Sequence, residues 1–452
     1  MHSNESSLRR SAVGPLAAAA VAAVAGGAVV AYALAFVACS ARAVPGDRSG
    51  DSVSAIAVVR ELSGEAYGGR QAGSDGGRAA AEYIAATLEG VGLSVAFRGF
   101  EEMVPELVRE PRCAIAVPGG PERELRFREE FRESPRGARV EERAVGPLAY
   151  LSSADDDFPE GAVVVVPGYA YDEGDDEALV GRGAVGLLVV VEAASVERRS
   201  TYPGQGPRLM AEPKGSLVKM AVSEGVAAFL ASAAASGATA TLVNPLGFER
   251  RACRNVLATW NGDGGAFEPD VAFVAHYDHV GVDRDGAAFP GASDNASGVG
   301  LAMSLAENYA RDRVRRDAAF LFTDAEEINL SGAEDFAASA PFGIARLKVV
   351  NLDMVGLAGS GTLSIYSNGD PPSREFAQSL ARALSDAGIA TRREYPVPNV
   401  DSGPLGRAGA RAVTLCEFDQ SVYHTKRDGP DSVSEGELDR LETALYAFAL
   451  GL

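Results

Sequence analysis

From residue 252 onward, short apolar runs alternate with helical stretches, and the runs end on histidine or carboxylate side chains. Val271–Ala275 leads into His276-Tyr-Asp278-His279, and Ala318–Phe322 leads into Asp324-Ala-Glu326-Glu327. Leu347–Val350 runs into Asn351-Leu-Asp353, and Ala412–Leu415 precedes Tyr423-His424. Between them, Ala296–Tyr309 has the apolar spacing of a helix. Continuous apolar runs are strands buried on both faces, and their alternation with helices is the pattern of an α/β domain. In an open α/β sheet, ligands bind at the edge where the strands end. The chemistry-bearing residues of this chain fall on that edge.

Each of these motifs has an ordinary reading when taken alone. The chain has four histidines, and His2 lies in the N-terminal segment, which leaves His276, His279 and His424. His276 and Asp278 are two apart at a strand end and share one side, so Asp278 is placed to accept the second N–H of His276. Pro290-Gly-Ala-Ser-Asp294-Asn-Ala-Ser-Gly298 reads as a helix cap with turn glycines, or as a loop offering a carboxylate to cations. Glu326-Glu327 follows an apolar strand and is not set on a charged helix face, and Asp353 follows Lys-Val-Val-Asn-Leu. An unpaired buried carboxylate there is costly. Several carboxylates at one sheet edge raise one another's pKa or recruit cations. Asp294, Glu327 and Asp353, with neutral His276 and His424 and one hydroxide, balance two divalent ions. Nitrogen and oxygen ligands without thiolates favour zinc, with cobalt or manganese as substitutes.

The rest of the chain sets the context. The net charge of the 452 residues is −20, while the first 43 carry a small positive charge from Arg9, Arg10 and Arg42 against Glu5. So acidic a body repels nucleic acid and anionic lipid, which argues against a nucleic-acid partner. Residues 11–41 carry no charge and follow Arg9-Arg10, so 1–43 reads as an export signal or membrane anchor. Three fates stay open: lipid modification at Cys39, cleavage after Ala43, or retention as an anchor. All three place the protein outside the cytoplasm, in the cell envelope or secreted. Residues 44–53 read as a linker. Cys113, Cys253 and Cys416 are sparse, odd in number and not in a Cys-x-x-Cys pattern, so structural thiols are expected. Ala79–Leu88 has helical spacing behind Ser74-Asp75, and Leu93–Phe97 reads as a strand. Leu148–Leu151, Ala162–Val166 and Val185–Val191 read as buried strands, and Ser223–Ala235 as a helix.

The ordered set HYDHVG, PGASDNASG, FLFTDAEEINLSG, NLDMVG and YHTKRD resembles the two-zinc exopeptidase family that includes bacterial leucyl aminopeptidases and glutamate carboxypeptidase. Gly69-Arg70 through Phe100 and Arg254-Asn-Val-Leu-Ala-Thr are similar to the family's opening elements. The resemblance implies a three-layer α/β/α domain with a mainly parallel mixed sheet, formed by 54–110 and 246–452. It also implies a β-rich protease-associated-like domain inserted at 111–245, which contributes no metal ligand. By the same resemblance, Asp294 bridges two zinc ions, with His276 and Asp353 on one and Glu327 and His424 on the other. Glu326 would be the general base and Asp278 would orient His276. The implied activity is removal of the N-terminal residue from peptides with a free N-terminus, with membrane contact only through the N-terminal segment or a lipid on Cys39. A carboxypeptidase or non-peptide amidohydrolase on the same site, a cyclase-like relative and a catalytically silent receptor-like relative are the alternatives. Two departures stand out: Asn329 replaces a glycine common in the family, and Asp401-Ser-Gly-Pro-Leu405 only loosely matches its Ser-Asp-His segment. The second leaves the substrate pocket open.

Overall fold

The structure, a computed structural model, describes residues 52–134, 142–172, 174–199, 217–345, 347–395 and 398–452. The segment expected to be a signal or anchor, Cys39 included, and the linker up to residue 51 lie outside the described residues. Among the described residues, no helix is long and apolar enough to cross a membrane.

Two helices open the described chain, α1 (Ala55–Leu62) and α2 (Asp75–Gly90). The hydroxyl of Ser74 accepts from the Gly77 amide at 3.0 Å and caps α2, whose Ala80, Ala81, Ile84 and Leu88 are buried. The next strand, β1 (Ser94–Leu107), is much longer than the apolar run at Leu93–Phe97 suggests. Most of its side chains are at least partly exposed, so its sequence lacks the apolar mark of a buried strand. It forms instead by pairing antiparallel over its whole length with β10 (Leu246–Trp260).

Between these two strands lies a second sheet. Its strands are β2 (Arg112–Ala116), β3 (Glu122–Glu124), β4 (Phe131–Glu133), β5 (Glu142–Tyr150), β6 (Val163–Pro167), β7 (Gly186–Val191), β8 (Val218–Ser223) and β9 (Thr239–Asn244). The short helices α3 (Asp175–Gly181) and α4 (Ala227–Ala235) flank it. Strand order is β3-β2-β9-β5-β6-β7-β8-β4, with β5 through β8 parallel.

The chain then enters the main sheet through β10 (Leu246–Trp260) and β11 (Val271–His276), followed by α5 (Ser297–Arg311), β12 (Ala318–Thr323), α6 (Ser331–Ser339) and β13 (Lys348–Leu352). It ends with β14 (Leu363–Ser367), α7 (Pro371–Asp386), β15 (Thr391–Glu394), α8 (Ser402–Arg407), β16 (Arg411–Cys416) and α9 (Glu435–Leu450). The order β1-β10-β12-β11-β13-β16-β14-β15 places parallel β12, β11, β13 and β16 at the centre. Side chains alternate between two cores, as strand geometry requires. Phe273, Phe320 and Phe322 pack on the face carrying α1, α2, α5, α7 and α9. Ala272, Val274, Ala319 and Leu321 pack on the face carrying Phe336 of α6 and Leu405 of α8. Helix layers on both faces of one mixed sheet make an α/β/α architecture. The central parallel strands all end on the same edge, which is where His276, Glu326, Glu327, Asp353 and His424 gather.

Candidate metal centre

His276 is the last residue of β11, Glu326 and Glu327 follow β12, Asp353 follows β13, and His424 lies in the connection after β16. Asp294 lies in an irregular turn, Ala292–Ala296, just before α5. The turn is fixed by its own polar side chains. Asn295 Nδ2 donates to the Leu352 carbonyl at 2.8 Å, while its Oδ1 accepts from the Gly298 and Met354 amides at 3.0 and 3.2 Å. The Ser297 hydroxyl donates to Ser293 and accepts from the Val355 amide. This set ties the Asp294 loop to the Asp353 loop. Gly291 sits at φ +58, where an added Cβ would fall 2.4 Å from the Asp294 carbonyl oxygen, so only glycine fits.

All of the side chains named by the sequence are buried and converge. Asp294 stands in the middle. Its Oδ1 is 3.4 Å from His276 Nε2, and its Oδ2 is 3.1 Å from His424 Nε2. Asp353 Oδ1 lies 3.6 Å from His276 Nε2, and Glu327 Oε2 lies 3.0 Å from His424 Nε2. Candidate ligand atoms thus form two groups: His276, Glu326 and Asp353 in one, and His279, Asp294, Glu327 and His424 in the other.

Asp278 departs from expectation in detail. The nearest oxygen to His276 Nδ1 is the Asp278 backbone carbonyl at 3.2 Å, with the carboxylate at 3.6 Å. That carboxylate accepts instead from the Glu326 and Glu327 amides at 3.0 and 3.3 Å, fixing the acidic pair. Asn329 sits at φ +67, a left-handed conformation in which asparagine is the best substitute for the glycine expected there.

Three residues that sequence reasoning left without a role belong to the site. His279 Nδ1 is 3.0 Å from Glu327 Oε1. Asp428 accepts from the Ser293 amide and hydroxyl and from the Asp294 amide at 2.6–3.0 Å. Arg70 is fully buried and donates to the carbonyls of Leu62, Tyr277, Pro290 and Gly291 at 2.6–2.8 Å. It pins the loops before His279 and Asp294 with one guanidinium. The only sequence signs of these roles were the nearness of His279 to Asp278, and Asp428 closing the YHTKRD motif.

The electrostatics are those of a cation site. Burial alone would lower the pKa of His276, but Glu326, Asp278, Asp294 and Asp353 raise it well above its ordinary value. Burial likewise opposes Glu327 and Asp294 at His424, which is nevertheless raised to about 10. Burial would raise Asp294, yet His276 and His424 hold it well below the usual carboxylate range. Glu327 is held at about 2 by His424, against burial. Glu326 moves the other way: burial pushes it well above its ordinary value, and Asp353, Asp401 and Glu327 add to this. Asp294 Oδ2, His424 Nε2 and His279 Nε2 are buried without a hydrogen-bond partner among the described residues. Buried polar atoms in native proteins rarely stay unpaired, and here they converge with carboxylates. The donor set fits a metal ion with nitrogen and oxygen ligands.

Beside Glu327 and His279 opens a cleft walled by Pro105, Leu107, Leu246, Val280 and Ile328, with Gln71, Glu133 and Arg199 among its polar lining.

The α/β/α sheet thus carries at its strand ends a buried His/Asp/Glu cluster with the donor set of a metal site. Residues 255–449 match the model of peptidase family M28. Among curated proteins, it is 28% identical over 178 residues to a vacuolar membrane protease of Schizosaccharomyces japonicus, covering 38% of this chain and 20% of that protein. It is 27% identical over 192 residues to aminopeptidase YwaD of Bacillus subtilis, covering 39% and 41%. The chain thus spans less than half the length of these curated relatives. Among solved structures, an aminopeptidase from Aneurinibacillus sp. strain AM-1 superposes with a TM-score of 0.64 at 20% identity, covering 89% of this chain and 93% of that one. The fold is shared with it.

Proposed function

We propose that this chain is a metal-dependent aminopeptidase that uses two zinc ions. His276, Asp294 and Asp353 would hold one ion, and Asp294, Glu327 and His424 the other. The observation that carries this reading is the orientation of Asp294, whose two carboxylate oxygens face His276 on one side and His424 on the other. Two divalent ions, when bound, supply Lewis acidity toward a peptide carbonyl and an attacking water. Glu326 takes the proton of that water and delivers it to the leaving amine. Glu326 is buried beside His276 and Asp353, where a carboxylate can act first as base and then as acid. Asp278 holds Glu326 and Glu327 in place through their amides and keeps His276 oriented through its carbonyl. His279 braces Glu327.

The name of one relative, an aminopeptidase, supports attack from the N-terminal end. The second sheet is proposed to be a protease-associated-like insertion. Residues 1–43 are proposed to export the protein, with anchoring or a lipid on Cys39 as the routes to the cell envelope. Substrates are proposed to be peptides with a free α-amine. The test compares an unblocked leucyl anilide with its N-acetyl form, alongside zinc analysis of the purified protein. Cleavage of the unblocked compound alone, with two zinc ions per chain, is expected. Equal cleavage of the acetylated compound, or release of C-terminal residues, moves the protein to the carboxypeptidase or amidohydrolase alternative.

A further inference from the structure

Two stretches that contribute no ligand, 128–133 and 197–199, reach across to the loops that carry the ligands. Arg128 is their hub. Its Nε lies 3.2 Å from Asp283 Oδ2, its Nη1 lies 2.9 Å from Glu133 Oε2, and it also bonds the Arg198 carbonyl. Asp283 sits in the connection between His279 and Asp294. Its Oδ2 also takes Lys426 Nζ at 3.0 Å, two residues beyond His424. Arg128, Asp283 and Lys426 therefore form an ionic chain from the second sheet to the His424 loop. The Arg128 and Asp283 side chains are only 12% and 3% exposed, so water screens little of that pair.

A second connection runs beside the first. The Arg199 amide donates to the His424 carbonyl at 3.1 Å, and its Nη1 donates to the Val282 carbonyl at 2.6 Å. Arg198 bonds the Gln420 carbonyl, and Glu197 pairs with Arg427. His424 itself has φ +55, a left-handed conformation that is costly for a non-glycine residue. Contacts on both sides of it and at its own carbonyl are what keep its imidazole facing Glu327 and Asp294.

We propose that Arg128, acting through Asp283 and Lys426, is a positioning residue for His424. The second sheet thereby sets the affinity of the metal position that Glu327 and His424 serve, and leaves the position of His276 and Asp353 alone. This inference rests on the two-metal reading above. Removing a partner that orients a metal-binding side chain typically weakens binding by about 10–100-fold.

The test is calorimetric titration of the metal-free full chain with zinc. It compares wild type with Arg128→Met, Arg128→Lys and Lys426→Met, and with Arg112→Met as a control whose guanidinium pairs within the second sheet with Glu122 and Glu124. Wild type is expected to bind in two steps. Arg128→Met and Lys426→Met should weaken one step by about 10–100-fold and spare the other, with Arg128→Lys in between and Arg112→Met like wild type. Should Arg128→Met fail to fold, Lys426→Met, whose side chain is one-third exposed, carries the test alone. Two unchanged steps in Lys426→Met and in any folded Arg128→Met would overturn the inference, and so would equal weakening of both steps, which would mark general loosening. Wild-type protein that binds no zinc would bring down the two-metal reading, and the inference with it.

Discussion

In the second sheet, β6 is buried from Val163 to Val166 and is flanked by parallel β5 and β7. In the main sheet, β11 and β12 are buried along their whole lengths and also run parallel. The strands obey one physical rule, but the residues just past them differ. After β6 comes a turn in which Tyr169 is 92% exposed, so its polar groups are met by water. At the ends of β11, β12 and β13 stand His276, Asp278, Glu326, Glu327 and Asp353, all buried. One buried charge of the second sheet, Lys219, has Asp176 and Tyr171 within hydrogen-bond distance. At the main sheet's edge, carboxylates crowd together and several polar atoms lack partners. Apolar strands specify a sheet. A site arises where the chain beyond them is polar and still denied water, a state that needs either close pairing of charges or a ligand.

The largest effect that sharpens this contrast is catalytic. Glu326→Gln should lower kcat roughly 10²–10⁴-fold while zinc content stays at the wild-type level. Glu327→Gln, one residue on, should instead lose zinc. Equal zinc loss in both would erase the division of labour between them. Lys219→Met in the second sheet should leave kcat where it was.

Stability should follow the same geography. Arg70→Met strands four carbonyls and removes a buried charge beneath the acidic cluster, so urea denaturation should show a loss of about 3–5 kcal/mol. Lys219→Met should cost about 1–3 kcal/mol, because its partner Asp176 is partly exposed and water can take over. Similar losses would mean that the two regions do not differ in how they bury charge.

A smaller effect separates the regions by pH. In metal-free protein the His424 pKa is about 10 against an ordinary 6.5, so its contribution is full below about 6.5 and is lost as pH rises through about 10. Glu327, at about 2 against an ordinary 4.5, contributes fully above about 4.5 and loses this as pH falls through about 2. The Tm of chelator-treated protein should therefore fall between pH 6.5 and 10, and zinc should abolish that slope by taking the proton's place. A slope unaffected by zinc would locate the titration elsewhere. The smallest effect is expected at Arg250–Glu101, a pair more than 60% exposed on both sides, where Arg250→Ala should change stability by about 0–1 kcal/mol.

Much of this geography was readable from the sequence. His276, Asp294, Glu326, Glu327, Asp353 and His424 stand next to buried strands or a helix start, and strand ends in a parallel sheet share an edge. Position in the chain was enough to predict that they meet. Arg70, Asp428 and the bracing role of His279 were not readable, because each acts through contacts across distant loops that no local period records. Asp278 shows a finer limit. Its spacing from His276 was right for contact, yet the contact runs through the backbone carbonyl, and the carboxylate turned to two amides on the neighbouring strand's exit. The length of β1 was hidden because it lies at the sheet edge, where charged residues suffice.

The pairing of β1 with β10 also bears on the order of events in folding. Leu107 pairs with Leu246, residues about 140 positions apart, and the ladder continues to Ser94 and Thr259. Closing so long a loop directly carries an entropic cost of about 4–5 kcal/mol. The second sheet shortens the search, since β2 pairs with β9 and brings Arg112 beside Val243. Once that sheet exists, the ends of β1 and β10 emerge side by side and can zip together residue by residue, as in a hairpin whose turn is a whole sheet. A chain assembled in this order makes the β1–β10 ladder nearly local, and the formation of that ladder then follows how soon the second sheet forms rather than the span it encloses.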